Sequence, residues 1–199
     1  MALPRTTPSR SAALLLGLAL ACTLPTAPAG TQARPDPELR RLLAAAIARA
    51  DSFQDRFDAE VWLTDMAHRL QRWRRIPAAE RLTILRTVHQ EATRAGLPPE
   101  LVLAIIEVES DFDRFAISDS GARGLMQVMP FWVRAIGRPD DDLFDIRTNI
   151  RYGCAILRLY LDRAGGDYQR ALARYNGSPG SRRYPVRVFT ALQRRWYRQ

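Results

Sequence analysis

The amino-acid sequence predicts an all-α protein. Apolar residues recur every three or four positions through most of the chain, which is the spacing of one face of a helix. Residues typical of turns are sparse, and several of them stand where a helix would begin or end. The predicted helices are Pro37–Ala50, Asp58–Arg74, Ala78–Ala95, Pro99–Ser110, Pro130–Ile136, Ile146–Arg163, Tyr168–Tyr175 and Pro185–Trp196.

The helix over 99–110 has the clearest boundary signals. Gly96 ends the preceding helix, and Pro98 and Pro99 preset the backbone for the first turn of the next one. Glu100 complements the positive end of that helix. Because the following residues are almost wholly apolar up to Glu109, we expect this helix to be buried.

Two glutamates near its end face different surroundings. At about 100° per residue, Glu109 falls among apolar residues that include Ile105 and Ile106, whereas Glu107 falls beside Glu100 on a wetter flank. A carboxyl in an apolar stripe loses hydration, which disfavours its charged form and raises its pKa. Glu109 is therefore a candidate general acid, and the alternative is a carboxylate that backbone donors satisfy at the helix end. A Glu107→Gln substitution is expected to be mild.

Aromatic residues of the outer helices predict core packing. Trp62, Met66, Leu70 and Trp73 share one face of the second predicted helix. A similar stripe in the last helix consists of Phe189, Leu192 and Trp196. The region before residue 97 is therefore expected to be a packing scaffold.

The N-terminus has the features of a signal peptide. Arg5 and Arg10 precede an apolar run over 12–21, and Ala27-Pro28-Ala29 offers a small-residue cleavage site. Residues 1–29 are thus the predicted signal peptide, and the mature protein is expected in the periplasm. The alternative is lipidation at Cys22, which would attach the protein peripherally to a membrane.

The mature chain is expected to form one domain without a cofactor. Cys154 would be its only thiol, and it lies on an apolar helical stripe, so we expect a buried residue and no disulfide. His68 and His89 stand apart from any cluster with metal-ligand spacing. The sequence therefore predicts no metal and no cofactor.

The formal net charge is +9, and all the basic residues are Arg, since the chain contains no Lys. Basic clusters with interleaved aromatics could hold nucleic acid, but export argues against that partner. A basic face could instead attract anionic polymers or membrane surfaces outside the cytoplasm. A solvated surface is the simpler interpretation, because acids lie between the arginines.

Four ordered segments carry a family resemblance. A Glu-Ser pair, Glu109-Ser110, precedes Ser118, and a glycine-punctuated signature runs from Gly121 to Pro130. The other two segments are Asn149-Ile150 with Gly153, and Ala173-Arg174-Tyr175-Asn176-Gly177-Ser178-Pro179-Gly180. Over residues 97–196 the chain resembles the soluble lytic transglycosylase family, lysozyme-like enzymes that cleave bacterial peptidoglycan. Four matched segments are far more specific than a single short motif.

This resemblance implies a lysozyme-like transglycosylase domain over 97–199, preceded by a tether and N-terminal helical region over 30–96. It makes Glu109 the catalytic acid and directs the hydroxyl of Tyr175 at that glutamate. Asn149 and Asn176 are expected to make structural hydrogen bonds near the site. Trp132 either lines the cleft or packs in the core. The residues expected to bind substrate or shape the site are Ser110, Ser118, Gly124, Met126, Gln127, Met129, Asn149, Tyr175 and Asn176.

The resemblance also implies a reaction without a second catalytic carboxylate. The nearby acids are Asp111, Asp113 and Asp119, and none matches a catalytic position of the family. The implied reaction is lytic transglycosylation of peptidoglycan glycan strands, which closes a 1,6-anhydro ring. The alternatives are hydrolysis of the same bond, as in goose-type lysozyme, and wall binding without catalysis. The sequence predicts no particular protein partner.

Overall fold

The structure is a computed structural model that describes residues 56–197, with side chains from residue 62 onward. The predicted signal peptide, the lipidation alternative at Cys22, the tether and the predicted helix Pro37–Ala50 all lie outside the described residues.

The described part of the chain is helical, which confirms the all-α prediction. Between residues 56 and 197, extended pairing is limited to two isolated bridges, Ile117 with Arg123 and Arg123 with Val128. The helices are α1 (Arg56–Leu70), α2 (Ala78–Arg94), α3 (Pro99–Ser110), α4 (Phe131–Ile136), α5 (Ile146–Arg163), α6 (Tyr168–Tyr175) and α7 (Arg183–Ala191), followed by a π-helical turn over Leu192–Trp196.

Three helices, α3, α5 and α6, have the predicted bounds. Pro98 and Pro99 begin α3, whereas the side chains of Asp145 and Asp167 cap the N-termini of α5 and α6. At the far end of α3, Asp111 has a φ of 50°, and this left-handed residue stops the helix. Local signals of this kind are visible in the sequence, which explains the agreement.

The first and last helices differ from prediction. Helix α1 ends at Leu70 and not at Arg74, because Trp73 and Ile76 close short turns on the carbonyls of Leu70 and Trp73. Helix α7 begins at Arg183, two residues before the predicted start at Pro185. Pro185 is tolerated in the first turn because the backbone N–H groups there have no partner within the helix. After Ala191 the chain widens into the π-helical turn, which the bond from the N–H of Tyr197 to the carbonyl of Leu192 closes at 2.8 Å.

Helix α3 is at the centre of the packing. Every side chain from Leu101 to Ile106 is buried, so the helix is covered on all sides. Its neighbours are α2, α7 and the π-helical turn, while α5 packs against α2 and α6. Helix α1 packs against α2 and extends the same core, which agrees with a scaffolding role for the N-terminal region.

The predicted aromatic stripes do meet in this core. Trp73 stacks on Trp196 with ring centroids 5.6 Å apart, and Phe112 packs on both rings. The π-helical turn is therefore fixed against the end of α1 and the residues that follow α3. The predicted burial of Cys154 is confirmed, since that side chain has no exposed surface.

A buried ion pair joins α2 to α5. Glu91 has no exposed surface, and its carboxylate lies 2.7 Å from Arg94 on its own helix and 3.5 Å from Arg151 on α5. A buried charge is tolerated only when such partners compensate it.

Within 56–197 no helix is both long and apolar enough to span a membrane.

Candidate active site

Glu109 lies in the last turn of α3, where this helix meets α7. The hydroxyl of Tyr184, near the start of α7, donates a hydrogen bond to Oε1 of Glu109 at 2.6 Å. Arg187, one turn further along α7, adds a positive charge nearby. The residue Glu109 keeps part of its surface exposed.

Burial raises the pKa of Glu109 from its ordinary value of 4.5 to about 7. The hydrogen bond from Tyr184 and the charge of Arg187 both oppose this rise, but they do not cancel it. Near neutral pH the carboxyl is therefore divided between its protonated and charged forms. A group in that state can donate a proton to substrate and later accept one.

Glu107 does not lie on a wet flank, contrary to the sequence-based expectation. Its side chain is only 9% exposed and forms an ion pair with Arg195. The indole N–H of Trp196 donates to Oε2 of Glu107 at 2.8 Å. Glu107 thus anchors the π-helical turn to α3. The expectation was wrong because the residues that cover this face come from the distant end of the chain.

The acids that follow Glu109 are engaged in structural contacts. The carboxylate of Asp111 accepts from the indole N–H of Trp73 at 2.7 Å and pairs with Arg75 at 2.6 Å. Oδ1 of Asp113 accepts from the N–H of Phe115 at 2.9 Å. Asp111 and Asp113 thus stabilise the chain that follows α3.

The loop between α3 and α4 is held to α5 by one side-chain amide. Asn149 is 1% exposed, and its Nδ2 donates to the carbonyls of Arg123 at 2.8 Å and Leu143 at 2.7 Å. Its Oδ1 accepts from the N–H of Met126 at 2.7 Å. Three backbone groups from two separate segments therefore depend on Asn149.

Gly124 packs directly on this amide. Its φ is +75°, and a Cβ placed there would lie 2.3 Å from Nδ2 of Asn149 and 2.4 Å from the carbonyl of Leu143. Both the left-handed conformation and the lack of space thus require glycine. Gln127, whose φ is 48°, donates from Nε2 to the carbonyls of Gly124 at 2.9 Å and Ala116 at 3.2 Å.

Tyr175, whose hydroxyl the resemblance directs at Glu109, lies close enough to Tyr184 to interact with it electrostatically. Its hydroxyl donates to the carbonyl of Met126 at 2.7 Å, so Tyr175 supports the loop. The hydroxyl at the glutamate belongs to Tyr184, which the sequence analysis missed. A tyrosine on a buried helical stripe with Val188 was the available signal, because a buried phenol needs a hydrogen-bond partner.

The two predicted serines brace the loop at different points. Oγ of Ser110 lies 2.8 Å from the carbonyl of Leu125 and 3.1 Å from that of Ile106, which joins the loop to α3. Oγ of Ser118 accepts from the N–H of Ala122 at 3.1 Å and closes the loop tip.

The remaining predicted residues lie around this framework. The side chain of Met126 is buried against Gly153, where a Cβ would approach Sδ to 2.3 Å, and Met129 packs at the edge of the core. Asn176 ends α6 and donates to the hydroxyl of Ser178 at 2.8 Å. Trp132 has no exposed surface, so it packs in the core and does not line a cleft.

Comparison with known proteins identifies the class of this domain. Residues 86–194, more than half of the chain, match the model of the transglycosylase SLT domain, and the chain belongs to that family. The match begins within α2 and includes every site residue described above.

Two curated relatives are named membrane-bound lytic murein transglycosylase C. The one from Yersinia enterocolitica is 36% identical over 120 residues, which cover 52% of this chain and 33% of the relative. The one from Yersinia pestis strain Pestoides F is 36% identical over 118 residues, covering 51% and 32%. The chain thus matches about a third of the length of these relatives.

A solved structure also aligns with this chain. It is an inactive mutant of the lytic transglycosylase Slt from Pseudomonas aeruginosa, with 24% identity and a TM-score of 0.46. The alignment covers 82% of this chain and 34% of that one.

Proposed function

We propose that this protein is a peptidoglycan lytic transglycosylase in which Glu109 acts alone as acid and then as base. The observation that carries the proposal is the carboxyl of Glu109, whose pKa is raised to about 7 beside the hydroxyl of Tyr184. Membership of the SLT domain family and the names of the curated relatives support the same class of reaction.

The first step cleaves the β-1,4 bond between N-acetylmuramic acid and N-acetylglucosamine. Protonated Glu109 donates its proton to the glycosidic oxygen as the bond from C1 to that oxygen breaks. The substrate's own acetamido group shields the positive charge that develops at C1. Tyr184 holds the carboxylate that remains through its hydrogen bond.

The second step closes the product. The carboxylate of Glu109 takes the proton of the muramoyl C6 hydroxyl, whose oxygen attacks C1 and forms the 1,6-anhydro ring. The carboxyl regains its proton, and no water is consumed. The engagement of Asp111 and Asp113 in structural contacts favours this route, because a hydrolase usually places a second carboxylate across the bond.

Digestion of purified sacculi tests the reaction. Mass spectrometry of the products is expected to find muropeptides with 1,6-anhydro ends that borohydride does not reduce. Muropeptides that each carry one additional water and a reducible end would make the protein a muramidase. A protein that binds sacculi and releases nothing would be a wall-binding protein.

The proposed location is the periplasm, with peptidoglycan glycan strands as the partner. The Arg-flanked apolar run before Ala29 supports export, and the curated relatives are named membrane-bound. The intact mass of the mature protein is expected to match a chain that begins near Gly30. A mass that retains residues 1–21 would contradict processing, and an acylated Cys22 would establish the lipoprotein alternative.

A further inference from the structure

Two aromatic rings and two arginines form a partly exposed array from two loops, the one that follows α3 and the one that precedes α5. The rings of Phe115 and Phe144 lie 6.1 Å apart between centroids. The guanidinium of Arg114 covers Phe115 at 4.3 Å, and that of Arg123 lies over Phe144 at 5.8 Å. We call these four residues the Arg-Phe platform.

The platform is unusual for a surface that serves only solubility. Phe115 is 59% exposed, and its neighbour Ile117 is 64% exposed. Contiguous exposed apolar side chains on a soluble domain mark contact sites. Neither Arg114 nor Arg123 forms an ion pair with a carboxylate between residues 62 and 197. Nε of Arg114 is buried and has no hydrogen-bond partner there.

Two acids close to the platform in sequence are engaged with its backbone. Asp113 uses Oδ1 to accept from the N–H of Phe115 at 2.9 Å, and Asp142 accepts from the N–H of Phe144 at 2.8 Å. Each aspartate thus fixes the backbone of a platform phenylalanine. The two guanidinium groups remain available for carboxylates of another molecule.

The site loop holds the platform in place. Asn149 binds the carbonyl of Arg123 and that of Leu143, the residue before Phe144. Gln127 binds the carbonyl of Ala116, the residue after Phe115. The same two amides also shape the loop that follows α3, so the platform and that loop share one hydrogen-bonded framework.

We propose that the Arg-Phe platform binds the acidic peptide stems of peptidoglycan, so that the enzyme prefers glycan strands that carry peptides over bare strands. The proposal rests on the proposed function for its substrate. Those peptides hang from N-acetylmuramic acid and carry free carboxylates. A guanidinium held over a ring can bind a carboxylate through two parallel hydrogen bonds.

Binding to protein that carries Glu109→Gln tests the proposal without turnover. The probes are soluble glycan strands from one batch of sacculi, either with their peptides or stripped of them by an amidase. Calorimetry is expected to show that Arg114→Gln/Arg123→Gln raises the Kd for peptide-bearing strands about tenfold, with less than about a twofold change for stripped strands. Added salt should reduce the same difference.

The matched control is Arg74→Gln/Arg86→Gln, which removes the same charge from exposed positions outside the platform. It is expected to leave both Kd values within about twofold. Equal weakening for both probes would overturn the proposal and make the platform a sugar contact. No weakening for either probe would also overturn it. Since binding is read without catalysis, a wild-type protein that cuts no sacculi would contradict the proposed function and leave this comparison intact.

Discussion

The hydroxyl of Tyr184 lies 2.6 Å from Oε1 of Glu109, although 75 residues separate the two in sequence. The contact joins the end of α3 to the start of α7, and it sets the carboxyl's orientation as well as its charge. Burial and this hydrogen bond act on the pKa in opposite directions. The pKa of about 7 is the balance of burial against this hydrogen bond and the charge of Arg187.

The first prediction separates the two glutamates of α3. Glu109→Gln is expected to lower turnover of sacculi by about 10³-fold, because the amide cannot donate the required proton. Its melting temperature at neutral pH should not fall. Glu107→Gln is the matched control, and it should keep turnover but lower the melting temperature, since it weakens the contacts with Arg195 and Trp196. Similar turnover in wild type and Glu109→Gln would remove Glu109 from the mechanism.

The second prediction concerns the dependence of turnover on pH. Because the free enzyme must begin with Glu109 protonated, kcat/KM is expected to decline as the pH rises through about 7. Tyr184→Phe removes a hydrogen bond that lowers this pKa, so the decline should move to higher pH. The variant should also lose about tenfold in kcat/KM, since the carboxyl is less well oriented. A decline at unchanged pH would show that Tyr184 does not act on the charge of Glu109.

The third prediction links the same carboxyl to stability. The pKa of Glu109 is higher in the folded protein than its ordinary value of 4.5, so the folded state binds the proton more tightly. The contribution of Glu109 to the free energy of unfolding is therefore fully present below pH 4.5, and it is lost as the pH rises through about 7. Glu109→Gln should stabilise the protein by about 1 to 3 kcal/mol at alkaline pH and hardly at all in acid. Denaturant unfolding at both pH values measures the difference, and equal effects at both would contradict the assigned pKa.

The fourth prediction compares two glycines of the loop. Gly121 and Gly124 both have positive φ, but a Cβ at Gly121 would meet nothing within 4 Å, whereas one at Gly124 would collide with Asn149 and Leu143. Gly121→Ala is expected to cost about 1 kcal/mol from backbone strain alone. Gly124→Ala should cost about 3 kcal/mol or more, because the amide of Asn149 must move. Thermal unfolding of both variants provides the comparison. Equal losses of stability would show that Asn149 and Leu143 can move away from the added Cβ without an energetic penalty.

Local signals made the helices predictable, and distant contacts made part of the site unpredictable. Helix α3 has the predicted bounds because Pro98, Pro99 and the residues after Ser110 mark its ends. A helical wheel correctly separates the faces that carry Glu107 and Glu109. It cannot reveal which residues pack on each face. Here the partners of the two glutamates, Tyr184 and Trp196, both come from the region after residue 183.

The loop illustrates the same limit. The sequence indicated that Gly124, Asn149 and Tyr175 belong together, but not which atoms they share. The structure assigns Tyr175 to the carbonyl of Met126, and it assigns Tyr184 to Glu109. Residue spacing does not encode which tyrosine hydroxyl reaches which partner.

The π-helical turn over Leu192–Trp196 completes the packing around α3 late in synthesis. Trp196 reaches Glu107 only after synthesis has passed the whole of α7, long after Glu109 itself has emerged. Until then, α3 lacks the indole and guanidinium groups that cover its rear face. A chain that has not yet formed this turn therefore carries Glu109 on a helix whose rear face is still uncovered.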